Sequence, residues 1–566
     1  MNPMTQTDFY KVNHKFQYPE GTNLVFSNFT ARSGKHFNRE VEGVVFLGLQ
    51  KFIQEHLIEE WTTNFFAKQL DEVILPYKRR IETSLGKGAI DFEHITELWE
   101  LGYLPLRIRA LPEGMIVPFK VPMFTVENTN PKFFWLTNYL ETVLSTEIWK
   151  PTTVATIARE YRLILEKYAA ETGTDPATIP FSLHDFSMRG MSGKHDAANS
   201  GVGHLLSFSG TDNIAAIDCA EDYYGANAEK ELIGTGIPAT EHSVMCAGGK
   251  EDEFETYRRI ICDLYPNGFV GIVSDTWDLW KVLTEIAPAL KKEIMTRDGR
   301  VVFRPDSGDP ADILCGTVQH IVQVPEGLDV SDYCIDTLTN IAISSAEHGE
   351  PGDEKVSTIA MDSKGNTFKV TAEIFWNRYD KQYYFFDGLE KTVIEDHILS
   401  NEEKGAVQIL WEQFGGGCND KGFKEIDPHV GLIYGDSITL DRCEDICRRL
   451  KAKGFASGNV VFGVGSYTYQ MITRDTFGMA MKSTYCEVNG EGREIFKDPI
   501  TDDGIKKSAK GLLRVVLKSG EYTLQDQVSW KQVNSLLNEM QVVFQNGDTS
   551  NFLTLGEMRA NVEKSL

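Results

Sequence analysis

Positive charge is in short supply. The 566 residues carry 57 Lys and Arg against 82 Asp and Glu, a net charge of −25. That balance argues against nucleic acid as a partner, and any anion must be met by cations gathered locally. Cysteine is also sparse. Nine cysteines are scattered singly, and the closest pair, Cys443 and Cys447, sits in a helical stretch without the other ligands of a zinc set. Reduced thiols in a cytoplasmic protein are the simplest account. No run approaches the roughly 18 apolar residues of a membrane span. The opening MNPMTQTDFYKVNHKF has no apolar stretch of the secretory kind. What is present is 42% apolar residues, enough for proper cores, in a chain long enough for two or three domains.

The most informative stretch is Val301–Pro310, VVFRPDSGDP. Val301, Val302 and Phe303 read as a buried strand. Pro305 cannot donate to a sheet ladder and ends it, and Asp306-Ser307-Gly308 is turn chemistry. Arg304 and Asp306 are thereby set at the carboxyl end of a buried strand, where parallel α/β folds handle ligands. Taken singly, the stretch reads equally well as a solvated turn.

Repetition changes the reading. Phe181–Leu183 runs into His184-Asp185-Phe186, Leu205–Phe208 into Gly210-Thr211-Asp212, and Gly236–Pro238 into Thr240-Glu241-His242. Val270–Val273 runs into Ser274-Asp275, Gly431–Tyr434 into Gly435-Asp436-Ser437, and Val460–Phe462 into Gly463-Val464-Gly465-Ser466. Steps from Asp185 to Asp212, Glu241, Asp275 and Asp306 are 27, 29, 34 and 31 residues, and Asp436 to Gly465 is 29. A strand–helix unit takes roughly 30 residues. The pattern predicts a (β/α) barrel-like domain with polar residues at one rim. The step of 130 from Asp306 to Asp436 implies about 100 inserted residues.

The expected class is α/β. A smaller mixed α+β domain occupies 1–150 and the barrel-like domain 151–485, interrupted by an antiparallel β insertion at about 325–425. A C-terminal segment, 486–566, packs with the N-terminal domain. Helices are expected over Phe46–Glu60, Phe134–Trp149 and Thr153–Ala170, the last two separated at Lys150-Pro151-Thr152. In the insertion, Val356–Met361, Thr367–Trp376 and Tyr383–Phe386 alternate as a meander. Three features invite chemistry. Phe186 beside Arg189 can stack a ring and hold an anion, or be core aromatic and ion-pair partner. His242 can be a nucleophile or phosphate ligand, or a hydrogen-bonded structural histidine. Gly463–Ser466, leading into a helix over Tyr467–Arg474, is a phosphate cradle in outline. Arg474, Lys482, Lys497, Lys506, Lys507 and Lys510 follow, either a polyphosphate cluster or a solvated basic face.

The motifs TDFYKVNHKFQYP, GLQKFI, WLTNYLETVLSTEIWKPTTVATIARE, SLHDFSMRG, FSGTDN, IPATEHS, SDTWDLW, VVFRPDSGDP, YGDS and TRD…FKDP occur in that order over most of 5–310 and 430–511. In this the chain resembles the nicotinamide phosphoribosyltransferase family, of the type II phosphoribosyltransferase fold. The resemblance implies joining of nicotinamide to 5-phosphoribosyl 1-pyrophosphate, giving nicotinamide mononucleotide and pyrophosphate. It implies ATP as co-substrate through phosphorylation of His242, magnesium carried on pyrophosphate or ATP, and no metal held by protein ligands alone. It implies a homodimer with the active site at the subunit interface and a place in NAD salvage.

By the same resemblance, Phe186 and Tyr10 of the second subunit sandwich the pyridine ring, Asp212 accepts from the carboxamide and Arg304 donates to its carbonyl. Asp306, Gly435 and Asp436 hold the ribose, and Gly465, Ser466 and Arg474 the 5′-phosphate. Arg189, His242, Arg32, Lys482, Lys497 and Lys506 gather the remaining phosphates. His242, Glu241 and Asp306 are the catalytic candidates, with Glu241 orienting or polarising the imidazole. The phosphate loop here has fewer glycines than is usual in the family. Asp212 favours an amide over a carboxylate, so nicotinate is penalised by charge and by a lost hydrogen bond. The alternatives are a nicotinate phosphoribosyltransferase and a non-catalytic binding member of the family. An aldolase or isomerase barrel would want a buried lysine or a carboxylate metal set, and neither stands out.

Overall fold

The computed structural model describes residues 1–318, 321–347, 354–377, 379, 382–385, 393–496 and 509–566. It divides into two units. One comprises Met1–Leu163, His184–Thr235 and Gly465–Leu566, the other Ile164–Leu183 and Gly236–Val464.

The first unit is built on a seven-stranded antiparallel sheet. Its order is Glu491–Glu494, Ala480–Val488, Thr22–Thr30, Pro122–Asn128, Leu106–Ala110, Gln541–Gln545 and Asp548–Thr549. Strands from both ends of the sequence therefore share one ladder. Pro122–Asn128 is buried along its whole length, as suits a central strand. Phe29 stacks on Phe124 with ring centroids 5.2 Å apart, and Phe46 joins them in a core that includes Trp61 and Phe65. The same unit holds a short parallel pair, with His184 opposite Gly210 and Asp185 opposite Thr211.

Two expectations change here. The helix does not break at Pro151 but runs from Glu141 through Thr172. Proline has no N–H for the carbonyl four residues back, which strands the Glu147 oxygen. Asn199 Nδ2 donates to that oxygen at 3.1 Å and keeps the helix whole. Leu205–Phe208 is no strand, because the helix Lys194–Leu205 extends into it and pairing begins at Gly210. There His204 Nε2 bonds the Gly210 carbonyl at 2.8 Å.

The second unit carries four parallel strands in the order Val460–Val464, Val430–Tyr434, Gly299–Arg304, Gly268–Val273. Ala239 bridges Gly271 in parallel beyond the last of them. Val270, Val301, Phe303, Leu432 and Phe462 are buried in this barrel-type sheet. The register sets Val273 beside Arg304 and Leu432 beside Phe303, so the strands end at one level. The chain is thus α/β, as expected, with antiparallel sheets beside the parallel one.

The insertion holds antiparallel strands Glu354–Met361, Thr367–Asn377, Gln382–Phe385 and Val393–Asp396. Phe386 of the expected meander lies outside the described residues. The insertion is more than a meander. A helix, Val330–Glu347, buries Cys334 and Leu338 against Val322, Val356 and Val370, giving it a core of its own. All nine cysteines are free thiols, Cys443 and Cys447 buried on one helix. Among the described residues, no helix is long and apolar enough to cross a membrane.

Candidate active site

In the first unit the two parallel strand ends carry Phe186 and Asp212 side by side. Asp185, 1% exposed, accepts from Ser187 N at 2.8 Å and Asn213 Nδ2 at 3.2 Å, while its carbonyl accepts from Asp212 N at 3.0 Å. One buried carboxylate thereby pins both loops. Phe186 is half-buried and Asp212 exposed. Arg189 lies exposed in the turn Met188–Gly190, which packs against the helix Ser466–Gln470. A Cβ on Gly190 would stand 2.0 Å from Ser466 Oγ and 2.5 Å from Ser466 Cβ, so this approach requires glycine.

Gly465 is the contrasting case. Its φ of −92° suits any residue, and a Cβ there would meet nothing within 4 Å. Nothing in the fold demands glycine at 465. What its missing side chain leaves is room outside the chain.

The helix stops at Gln470, short of the expected Arg474. Residues 473–479 turn on themselves, with Thr476 Oγ1 accepting from Thr473 N and Met479 N donating to Arg474 O. Arg474 is exposed on that turn. Arg32 is tied to the same turn through its own N to Phe477 O at 2.9 Å and its Nε to Gly478 O at 2.5 Å. Lys482 is exposed on the strand opposite Asn28. Three of the predicted cations therefore gather around one strand pair. Lys497 and Lys506 lie outside the described residues.

Tyr10 sits on an anchored terminus. Lys11 Nζ, buried, meets Glu141 Oε2 at 2.5 Å, and Asp8 accepts from Thr142 Oγ1 at 2.7 Å. Val12 is in the core. Phe9 and Tyr10 stay 52% and 61% exposed despite this fastening.

The second unit collects His242, Arg304, Asp306, Gly435 and Asp436 at the carboxyl ends of its strands. Thr240 pairs with the neighbouring strand through its N to Gly271 O at 3.0 Å and its Oγ1 from Val273 N at 3.0 Å. That register brings His242 Nε2 to 3.2 Å from Asp275 Oδ1. His242 is half-exposed and Asp275 buried. Glu241 caps the helix His242–Gly248, and its carboxylate accepts from Ser243 Oγ. The carboxylate on the imidazole is therefore Asp275, a rim residue placed by its spacing but assigned no role above.

Arg304 has a buried Nε with no hydrogen-bond partner. A buried guanidinium donor left unmade is expensive, so the fold holds this arginine at a cost. Its backbone is fixed by Ser274, whose N donates to Arg304 O at 2.9 Å. Tyr434 OH donates to Gly308 O at 3.0 Å. Burial first, then the negative charges of Asp436, Asp306, Asp275 and Asp309, hold that phenol well above its ordinary range. The strand ends thus form an acidic rim. Ser437 adopts a left-handed φ of 46°, held by Arg442 donating to its carbonyl at 2.8 Å, which turns Asp436 outward and exposed.

Comparison with known proteins bears on what this rim does. The Nicotinate phosphoribosyltransferase (NAPRTase) family model matches residues 181–341 and 365–548, and the Nicotinamide phosphoribosyltransferase, N-terminal domain model matches 2–108. The chain belongs to the nicotinate phosphoribosyltransferase family. Within that family, the nicotinamide phosphoribosyltransferase of Acinetobacter baylyi is 47% identical over 575 residues, covering 100% of this chain and 98% of that protein. The nicotinamide phosphoribosyltransferase of Mycoplasma pneumoniae is 30% identical over 515 residues, covering 88% and 92%. The crystal structure of nicotinate-nucleotide pyrophosphorylase from Pyrococcus furiosus covers 100% of this chain and 95% of that one, with TM-score 0.51 at 12% identity, a likeness of fold. As a phosphoribosyltransferase family member the chain is a pentosyltransferase.

Proposed function

We propose that this enzyme joins nicotinamide to 5-phosphoribosyl 1-pyrophosphate, giving nicotinamide mononucleotide and pyrophosphate for NAD salvage in the cytoplasm, and couples the reaction to ATP hydrolysis through His242. The observation that carries the choice of base is Asp212, an exposed carboxylate on the loop beside Phe186. It accepts from an amide NH2 and repels a carboxylate. Arg304, at the end of its strand and part-buried, supplies a donor for the amide carbonyl.

The transfer needs no protein base. The pyridine nitrogen has a free lone pair and no proton; it bonds to the ribose C1 as the C1–O bond breaks and pyrophosphate leaves with the electron pair. Positive charge grows at C1 and negative charge on the leaving group, so positioning and charge complementarity carry the rate. Asp306 and Asp436, with the Gly435 backbone, face the ribose and its developing charge. The space at Gly465 and the hydroxyl of Ser466 receive the 5′-phosphate, and Arg32, Arg189, Arg474 and Lys482 offset phosphate charge. Lys497 and Lys506 belong to the same expectation.

Among the described residues, no group of three or more His, Cys, Asp or Glu stands ready to cage a metal. The acidic rim does suit a hard cation brought in on pyrophosphate, with Asp306 and Asp436 as its oxygen partners. Magnesium so held supplies charge neutralisation for the leaving group.

In the ATP step, the imidazole nitrogen that donates to Asp275 is Nε2, which leaves Nδ1 with the lone pair. Nδ1 bonds to the γ-phosphorus as the bond to ADP breaks; water later cleaves the N–P bond and releases phosphate. The Glu241 carboxylate accepts from Ser243 Oγ, and the role proposed for it is to orient or polarise the neighbouring imidazole. The exposed, fastened Tyr10 is offered to a second subunit, completing a homodimer whose sites are shared. Mixing Tyr10→Ala chains with Asp212→Ala chains restores about a quarter of activity if sites are shared, and none if each chain is self-sufficient.

The deciding assay supplies phosphoribosyl pyrophosphate and magnesium with nicotinamide or nicotinate, with and without ATP, and follows the mononucleotide. Product from nicotinamide alone supports the reading. Product from nicotinate overturns the role of Asp212, and product from neither favours a binding role.

A further inference from the structure

Asp212 and Ser466 lie on different segments of the first unit, and a buried pair of polar side chains links those segments. His204, near the end of the helix Lys194–Leu205, and Tyr469, on the helix Ser466–Gln470, are both 0% exposed. His204 Nδ1 is 2.9 Å from Tyr469 OH, and its Nε2 is 2.8 Å from Gly210 O. Gly210 opens the two-residue strand that runs into Asp212. One imidazole therefore meets the helix that starts at the phosphate cradle with one nitrogen, and the strand that delivers the base-recognising carboxylate with the other.

Chemistry fixes the roles in this chain. A carbonyl oxygen only accepts, so Nε2 carries a proton, and in the neutral ring Nδ1 accepts from the phenol. Burial first, then the charge of Asp185, hold the Tyr469 phenol well above its ordinary range, so it keeps the proton that it donates.

A histidine satisfied on both sides can serve the core alone. Packing around this one is already close. Phe208 stacks on the imidazole with centroids 5.4 Å apart, and the Tyr469 ring meets it edge-on at 6.0 Å. Apolar rings would fill the same volume and need no partners. What two buried hydrogen bonds in series add is a fixed length, because either bond left unmade is costly while apolar surfaces slide past one another. The other ties of the phosphate helix lead elsewhere. Gln470 Nε2 donates to Ser192 Oγ, and Gly190 packs on Ser466, both on the loop that follows Phe186. His204 reaches the strand of Asp212 instead.

We propose that His204 is a positioning residue that sets the spacing between the 5′-phosphate cradle at Ser466 and the base-recognising Asp212. This rests on the roles proposed above for those two ends. A ligand that touches one end needs no particular spacing. Nicotinamide mononucleotide, which carries base and phosphate on one ribose, touches both and gains from a spacing set in advance.

The test measures the affinity of the full-length protein for nicotinamide, ribose 5-phosphate and nicotinamide mononucleotide by calorimetry. Tyr469→Phe keeps the ring and removes the donor to Nδ1. It should weaken the mononucleotide about tenfold and leave each fragment within about twofold of wild type. His204→Gln keeps a donor for Gly210 O and loses the acceptor for Tyr469, so it should show the same pattern, and the two changes together should cost little more than either alone. If Tyr469→Phe does not fold, the three affinities of His204→Gln decide. Equal weakening of all three ligands marks a bond that serves the core only and overturns the proposal. So does an unchanged affinity for the mononucleotide, or losses that simply add in the double variant. A wild-type protein that binds none of the three overturns the reading of the site itself, and the spacing role with it.

Discussion

Asp185 and Asp275 look alike in sequence, each an aspartate just past a buried strand, and both are nearly inaccessible. Their partners separate them. Asp185 is bonded by neutral groups of its own unit, Ser187 N and Asn213 Nδ2. Asp275 is bonded by His242, a titratable ring half-open to solvent. The first carboxylate has nothing left to give and acts as a fastener for the loops of Phe186 and Asp212. The second passes its charge to a side chain that can react. A buried carboxylate is thus a part of the scaffold or of the chemistry according to whether its partner is exposed and can change protonation.

The largest effects should fall on the Asp275 side. His242→Ala should abolish ATP hydrolysis while leaving some uncoupled transfer, and Asp275→Asn should slow ATP hydrolysis by about 10²–10⁴-fold, the range for a lost orienting carboxylate, with little change in melting temperature. Full ATPase activity in either protein would break the assignment. Next comes base choice. Asp212→Ser should reduce the preference for nicotinamide over nicotinate by about 10–100-fold in kcat/KM, and unchanged discrimination would remove Asp212 from specificity.

Asp185→Ala tests the fastener. It leaves Ser187 N–H unbonded in a buried place and Asn213 Nδ2 with its Ala197 O bond alone, and should cost about 1–3 kcal/mol in urea unfolding, with a higher KM for the base as the loops loosen. A protein as stable as the wild type would erase the distinction drawn above. The smallest effect sharpens it within one loop pair. Gly465→Ala should leave melting unchanged yet raise KM for phosphoribosyl pyrophosphate about tenfold, because the added methyl enters empty space. Gly190→Ala should do the reverse in kind, lowering melting temperature because its methyl meets Ser466.

Much of this was legible in the sequence because it depends on local chemistry. Runs such as Val301–Phe303 or Val430–Tyr434 are β-branched and apolar enough to be buried on both faces, and Pro305 or Gly435 ends them, so Arg304, Asp306 and Asp436 fall at the rim by counting alone. The pairing of His242 with Asp275 could not be read that way. It depends on the parallel register of Thr240 against Gly271 and Val273, a contact between segments 33 residues apart at the side chains concerned. Adjacency pointed instead to Glu241, whose extended cap conformation, φ −121° and ψ 169°, sends its carboxylate to Ser243. The insertion helix Val330–Glu347 was hidden for a similar reason. Its Ile, Thr and Val content suits a strand, and only packing of Cys334 and Leu338 on the adjacent strands favours the helix.

Pro151 carries a consequence for the order in which the chain assembles. The Glu147 carbonyl it strands is answered not by a neighbour but by Asn199, 52 positions on and in another helix. Until the Lys194–Leu205 helix docks, the long helix has a gap in its first third, and the parts on either side are free to form separately. Completion of one rod thus waits on the arrival of the next. A local element has been given a long-range closing step, which ties the rigidity of the frame behind Phe186 and Asp212 to tertiary structure being already in place.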